Sequence, residues 1–369
     1  NGDGYSDVII GSYLYQLPTP DEGAAFVFHG AAGGLGQEAG WTKVSNKENA
    51  YFGWSVGTAG DVDGDGLADV IVGAPFWDGG QVSEGRAWVY LGDEDGPVSA
   101  PHWSKESDMA HAYYGYSAGT AGDVNGDGYS DIIVGAPGWA DEGGAWVYPG
   151  SSTGLDLAPL WDKFSNQAGA GFGHSVGTAG DVNGDGYSDV IVGAPTWQRS
   201  GQERGGAWVY QGTATGPHSA PDWYVGGTQL EAEYGHAVGS AGDVNGDGYS
   251  DIIVGEPMWN GTNTSEGRAW VYHGSSGGVR QTHAWRVSGS KTNANYGSAV
   301  GTAGDVNGDG YADIIVGAPK WWDDRTDEGK VWVYHGDSGG LRTTSSWSKE
   351  GGQNYAHYGS AVGTAGDVN

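Results

Sequence analysis

One stretch returns along this chain at a nearly fixed interval, and that return decides what the chain can fold into. It is clearest at Gly122-Asp-Val-Asn-Gly-Asp-Gly-Tyr-Ser-Asp-Ile-Ile-Val-Gly-Ala-Pro137. The residue after its Gly-Asp-Val recurs as Asn1, Asp63, Asn125, Asn183, Asn245, Asn307 and Asn369, at spacings of 62, 62, 58, 62, 62 and 62. A period of this kind means an array of like supersecondary units. The units are 1–62, 63–124, 125–182, 183–244, 245–306 and 307–369, read together as one domain over 1–369. The short unit lost its four residues between Gly135-Ala-Pro137 and Tyr148, and indels of that sort mark a surface loop.

Each unit carries four short strand signals. Around the loop that begins at Asp61 they are Tyr51–Ala59, Asp69–Gly73, Arg86–Tyr90 and a segment around Trp103. The second is apolar almost throughout, as a strand covered on both faces is. The third alternates, as a half-buried strand does. The fourth is the least regular, as an outer edge strand is, and its copies carry Trp41, Trp161, Trp223, Trp285 and Trp347. Four strands per unit over six units predict an all-β fold, a β-propeller of six four-stranded blades. The chain opens just before a second strand and ends after a first one, so the C-terminal strand is expected to complete the N-terminal blade and close the ring.

Composition agrees with short strands and tight turns. Gly makes up 73 of 369 residues without a Gly-X-Y period, while 18 Trp and 21 Tyr supply large rings for a core. The net charge of -30 argues against nucleic acid or an anionic membrane surface as partner, and no apolar run is long enough to cross a bilayer. Nineteen of the 46 acidic residues lie in the repeated loops. There is no cysteine, hence no disulfide and no thiolate nucleophile.

The loops read as cation sites. Counting from Asp61, side-chain oxygens fall at positions one, three, five and nine (Asp61, Asp63, Asp65, Asp69), with the Leu67 carbonyl at seven and Gly66 for the sharp turn. The copies offer Asp123, Asn125, Asp127, Tyr129 and Asp131; Asp181, Asn183, Asp185, Tyr187 and Asp189; Asp243, Asn245, Asp247, Tyr249 and Asp251; and Asp305, Asn307, Asp309, Tyr311 and Asp313. A split copy would draw Asp367 and Asn369 from one end and Asp3 and Asp7 from the other. Hard oxygen donors at this spacing suit calcium, about six ions in all, and suit magnesium less. An EF-hand is excluded, because position twelve is Val72, Val134, Val192, Val254, Val316 or Ile10 inside a strand. Calcium loops of modest affinity fit an extracellular or cell-surface setting.

With the loop, the following strand and Gly-Ala-Pro together, the chain closely resembles the FG-GAP repeat family. Phe52-Gly53 and Phe172-Gly173, with the variants at Tyr114, Tyr234, Tyr296 and Tyr358, supply the first half of the name; Gly73-Ala74-Pro75 and its copies supply the second. Gly255-Glu256-Pro257 and Gly11-Ser12-Tyr13 depart from it. The resemblance implies a propeller with calcium on the hairpin joining the first two strands of a blade. It also implies ligand binding through the second-to-third and fourth-to-first connections. Integrin α-subunit heads, which share the repeat, have seven blades, so six is a departure.

The remaining recurrent residues divide between packing and binding. A tryptophan after Gly-Ala-Pro (Trp77, Trp139, Trp197, Trp259, Trp322) sits in the loop that varies in length and is the candidate for stacking on a sugar. An acidic residue before the third strand (Glu22, Glu84, Glu142, Glu203, Glu266, Glu328) reads as a turn contact. The ten histidines share no register, and no Ser/His/Asp order or nucleophile elbow appears, so the chain does not read as an enzyme. Asn260 and Asn263 fit glycosylation acceptors. The expectation is a binding or adhesion module for a glycan or an extracellular protein, with self-assembly as the alternative.

Overall fold

The computed structural model describes residues 1–16 and 19–369. Its fold is an all-β propeller of six blades, each an antiparallel sheet. Five blades have four strands; in the second these are Ser55–Gly60, Asp69–Ala74, Arg86–Tyr90 and Trp103–Glu106. By contact the chain divides into two compact units, one of Asn1–Val176, Ala214–Gly216 and Ala365–Asn369, the other of Gly177–Thr213 and Pro217–Thr364.

The innermost strand starts at Ser55, four residues later than the sequence pattern indicates. Tyr51 and Gly53 adopt φ of 54° and 83°, which a strand cannot accommodate, while Phe52 makes a single parallel bridge to Gly23 of the preceding blade. This strand ends in a bulge between Thr58 and Gly60, where Gly60 has φ of 79° and its N–H donates to Thr58 Oγ1 at 2.9 Å. The bulge re-aims the chain into the acidic loop.

The two halves of the repeat motif interlock neighbouring blades. A Cβ built on Gly73 would lie 2.0 Å from the carbonyl oxygen of Gly115, the glycine after Tyr114 in the following blade. In the second compact unit Gly193 stands in the same relation to Gly235, and Gly255 to Gly297. Only glycine permits that approach. Around this contact the aromatic residues of the third and fourth strands form the core between blades. Trp41 meets Tyr90 edge-on at 5.1 Å, Trp103 meets Tyr148 at 5.0 Å, and Trp223 meets Tyr272 at 5.0 Å. Trp103 and Trp223 also donate Nε1–H to the backbone oxygens of Asp156 and Arg280. These two buried indoles thus satisfy their one donor.

The first sheet has only three strands, Val8–Ser12, Ala24–Phe28 and Trp41–Val44. The expected fourth, from the C-terminal residues, does not form, and Ile10 on the unpaired strand is 49% exposed. The hydrogen-bond register gives the reason. Ser6 N–H donates to Asp367 O at 2.6 Å and Ala31 N–H to Val368 O at 3.3 Å. These match the bonds from Ser130 N–H to Asp61 O and from Ser151 N–H to Val62 O, which run from one blade to the blade before it. Gly366 likewise faces Ser6 as Gly60 faces Ser130. The C-terminal half-loop therefore holds the place of a preceding blade's loop, not of the first sheet's own innermost strand.

Candidate functional site

Each complete acidic loop winds on itself through its own carboxylates. Asp61 Oδ1 accepts from the N–H groups of Gly64 and Asp65, and its Oδ2 from Gly66 at 2.9 Å. The same three bonds recur on Asp123, Asp181, Asp243 and Asp305. Oxygens of Asp61, Asp63 and Asp65 come within 4.8 Å of one another. In the other four complete loops an asparagine stands between the two aspartates, and Asp127 N–H, for one, donates to Asn125 Oδ1 at 2.9 Å.

The ninth position lies beneath the loop. Asp69 is 1% exposed, its Oδ2 accepting from Val62 N–H at 2.8 Å and its Oδ1 from Gly92 N–H at 2.7 Å. Asp131, Asp189, Asp251 and Asp313 make the equivalent pair of bonds and are 0% exposed. Burial pushes Asp69 up to about 6 and Asp131, Asp189 and Asp251 to about 7, with the neighbouring loop carboxylates adding to the rise. Among the described residues no lysine, arginine or histidine forms an ion pair with any carboxylate of these five loops. Converging oxygen donors, shared negative charge and no protein cation to offset it fit a hard divalent ion.

The split loop is not assembled. Asp367 and Asn369 belong, by the bonds above, to a loop beside that of Asp3 and Asp7. Asp7 itself accepts from the Gly30 N–H at 3.0 Å and pairs with the amino terminus and His29.

The tryptophans after Gly-Ala-Pro turn inward more than outward. Trp77, Trp139 and Trp197 meet Trp88, Trp146 and Trp208 edge-on at 5.2, 5.0 and 5.7 Å, and Trp259 lies 3.2 Å beneath the Arg268 guanidinium. In the sixth unit the register differs from the sequence reading by one residue. Trp321, not Trp322, packs on Trp332 at 5.0 Å and accepts the Gly329 N–H as Trp77 accepts that of Gly85. Trp322 stays outside, 43% exposed. The acidic series shifts once as well, because Arg204 rather than Glu203 precedes the glycine that bridges to Tyr234. Of the two candidate glycosylation acceptors, Asn263 spends its Nδ2 on Glu266 and Ser290 O, whereas Asn260 is exposed.

Sequence reasoning passed over one feature of the first compact unit. Tyr13, Tyr51, Trp54, Phe76, Tyr113, Tyr116 and His174 form an unbroken run of ring contacts, with centroids 4.9 to 5.9 Å apart along it. All are partly exposed, Tyr13 by 40%. Phe76 lies two residues past the end of Asp69–Ala74, so the run lies at the opposite strand end from the acidic loop, roughly 17 Å away along the strand. The signal lay in Trp54 and Tyr116, which follow Phe-Gly and Tyr-Gly where other units have His236 or Ser298.

The comparisons with known proteins agree with this architecture. The family described as FG-GAP repeat matches residues 52–90, 114–148, 172–210, 234–272 and 296–334. Integrin alpha pat-2 of Caenorhabditis elegans is 36% identical over 271 residues, 68% of this chain and 21% of that protein. Integrin alpha-IIb of Homo sapiens is 34% identical over 232 residues, 58% of this chain and 21% of that one. Integrin alpha-4 of Xenopus laevis is 31% identical over 211 residues, covering 56% and 20%. The chain thus spans about a fifth of the length of these relatives. Among solved structures, a putative 6-phosphogluconolactonase from Bacteroides uniformis superposes with a TM-score of 0.55 at 9% identity, covering 94% of this chain and 82% of that one. That likeness is one of fold alone.

Proposed function

Because this chain belongs to the FG-GAP repeat family, we propose that it acts outside the cell as a non-enzymatic adhesion or recognition module whose acidic loops hold structural calcium. Asp61, Asp63, Asp65 and Asp69, with the Leu67 carbonyl, would hold one ion, and the four complete copies would hold theirs with the corresponding residues. Calcium there neutralises carboxylates that otherwise repel one another and fixes the hairpin between the first two strands of a blade. The loops support the binding surface and take no part in chemistry.

The observation that carries the binding reading is the aromatic run from Tyr13 to His174. Seven partly exposed rings in contact form a continuous aromatic surface, of the kind that serves as a docking site for an extracellular protein or a glycan. The test is adhesion of the chain, in millimolar calcium, to immobilised extracellular-matrix proteins and to a glycan array. Binding that falls at least tenfold in Trp54→Ala and Phe76→Ala variants with unchanged melting supports the reading. Binding indifferent to both substitutions, or no binding to either class, refutes it.

A further inference from the structure

The sixth blade carries a feature that its five counterparts lack. In the other units the residue after the packed aromatic ring is Gln16, Asp78, Ala140, Gln198 or Asn260, all small or polar. Here a second indole, Trp322, stands at that place and is 43% exposed. Its orientation is fixed, since Nε1–H donates to the backbone oxygen of Thr292 at 3.0 Å. Thr292 belongs to the connection that follows Trp285–Ser288, so the ring is braced against a second segment of the same compact unit. Lys291 supports it further, 4.9 Å from the ring centre and paired with Asp323 at 2.6 Å.

Beside this ring is a cleft of about 380 Å³, lined by Trp322, Asp323, Asp324, Asp327, Thr292 and Asn293. That volume falls in the range of small-molecule sites, ~300 to 1,000 Å³. The side chains of Asp324, Asp327 and Asn293 make no hydrogen bond to the described residues, so their oxygens and amide are available to a ligand. Arg325 also lines the cleft but pairs with the buried Glu328 at 3.7 Å, so among the described residues Lys291 alone offsets one of the three aspartates, Asp323.

We propose that this cleft is a saccharide subsite, in which Trp322 offers a flat apolar platform to one face of a neutral pyranose and Asp324, Asp327 and Asn293 bind its hydroxyls. A pyranose presents that pairing of an apolar C–H face with a hydroxyl rim, and a ring held before the ligand arrives keeps the ordering cost low. A sugar acid is disfavoured by the carboxylates and by the net charge of -30. The inference rests on the binding-module reading and specifies a ligand and a place for it distinct from the aromatic run of the first compact unit.

The experiment is calorimetric titration of the 369-residue chain, in calcium, with maltotriose, cellotriose, mannotriose and a neutral galactotriose. The variants are Trp322→Gln, which installs the residue found at Gln16 and Gln198, and Asp324→Asn. At least one trisaccharide is expected to bind with one site per chain. Trp322→Gln should weaken it roughly tenfold or more with no change in melting temperature, the loss of one stacked ring. Absence of binding by all four sugars, unchanged affinity in Trp322→Gln, or a lysine-rich peptide occupying the cleft in their place overturns the proposal. Matrix-protein adhesion that persists under those results leaves the broader binding reading standing, whereas loss of both would remove it as well.

Discussion

Replacing Glu256 by glutamine should make the protein more stable at alkaline pH and leave it unchanged in acid. Glu256 takes the place of the alanine in Gly-Ala-Pro and is 0% exposed. Its Oε2 accepts from Trp270 Nε1–H at 2.9 Å, while its Oε1 has no partner among the described residues. Burial pushes its carboxyl up to about 7; the Trp270 hydrogen bond and the Arg268 guanidinium pull the other way and do not offset it. Unfolded, the group titrates near 4.5. Below that pH both states are protonated and Glu256 costs nothing. Between 4.5 and about 7 the unfolded chain ionises while the folded one holds its proton, so stability is lost as pH rises. At ~1.4 kcal/mol per pH unit the full loss above pH 8 is on the order of 3 kcal/mol. Glutamine keeps an acceptor for Trp270 and cannot ionise. Urea denaturation of wild type and variant at fixed millimolar calcium isolates the effect, since every other titrating group is common to both. The stability difference should be flat below about pH 4 and grow by about 2 to 3 kcal/mol in favour of glutamine by pH 8. A flat difference throughout would refute the reasoning. A difference of opposite sign would show that the electrostatic attraction of Arg268 outweighs burial.

Three further substitutions follow from the interlocked blades and the loops. Gly73→Ala drives a methyl group to within 2.0 Å of the Gly115 oxygen and should cost about 3 kcal/mol or more, read as a lower urea midpoint. Tyr114→Phe removes the hydroxyl that meets Tyr148 at 2.9 Å but copies the residue native at Phe52 and Phe172; the expected loss is about 1 kcal/mol. Asp131→Asn leaves the burial of that position intact but removes a charged donor, so calcium affinity at one loop should fall without unfolding the apo chain, as measured by competition with a chelating dye.

The repeat period carried most of the fold into view, because the four strands of each unit could be located between Phe-Gly, the acidic loop, Gly-Ala-Pro and the outer tryptophan. What it could not carry was register at the level of one residue. Trp321 and Trp322 are equally good indoles on paper, and only the packing against Trp332 separates the anchor from the exposed ring. Glu203 and Arg204 are separated by the same kind of contact. The chain ends posed a harder case. Motif position suggested that Asp367 and Asn369 complete one loop with Asp3 and Asp7, but identical motifs also stand side by side in adjacent blades, and the bond from Ser6 to Asp367 selects the adjacent arrangement. The aromatic run was illegible for a different reason. Its rings come from connections in successive blades, so no window of sequence holds them together.

Calcium titration of the chelator-treated 369-residue chain tests the central claim most directly. The five complete loops should take up five ions, with the melting temperature rising as calcium is added. Titration without heat or saturation, together with a melting temperature unmoved by calcium or EDTA, would contradict it.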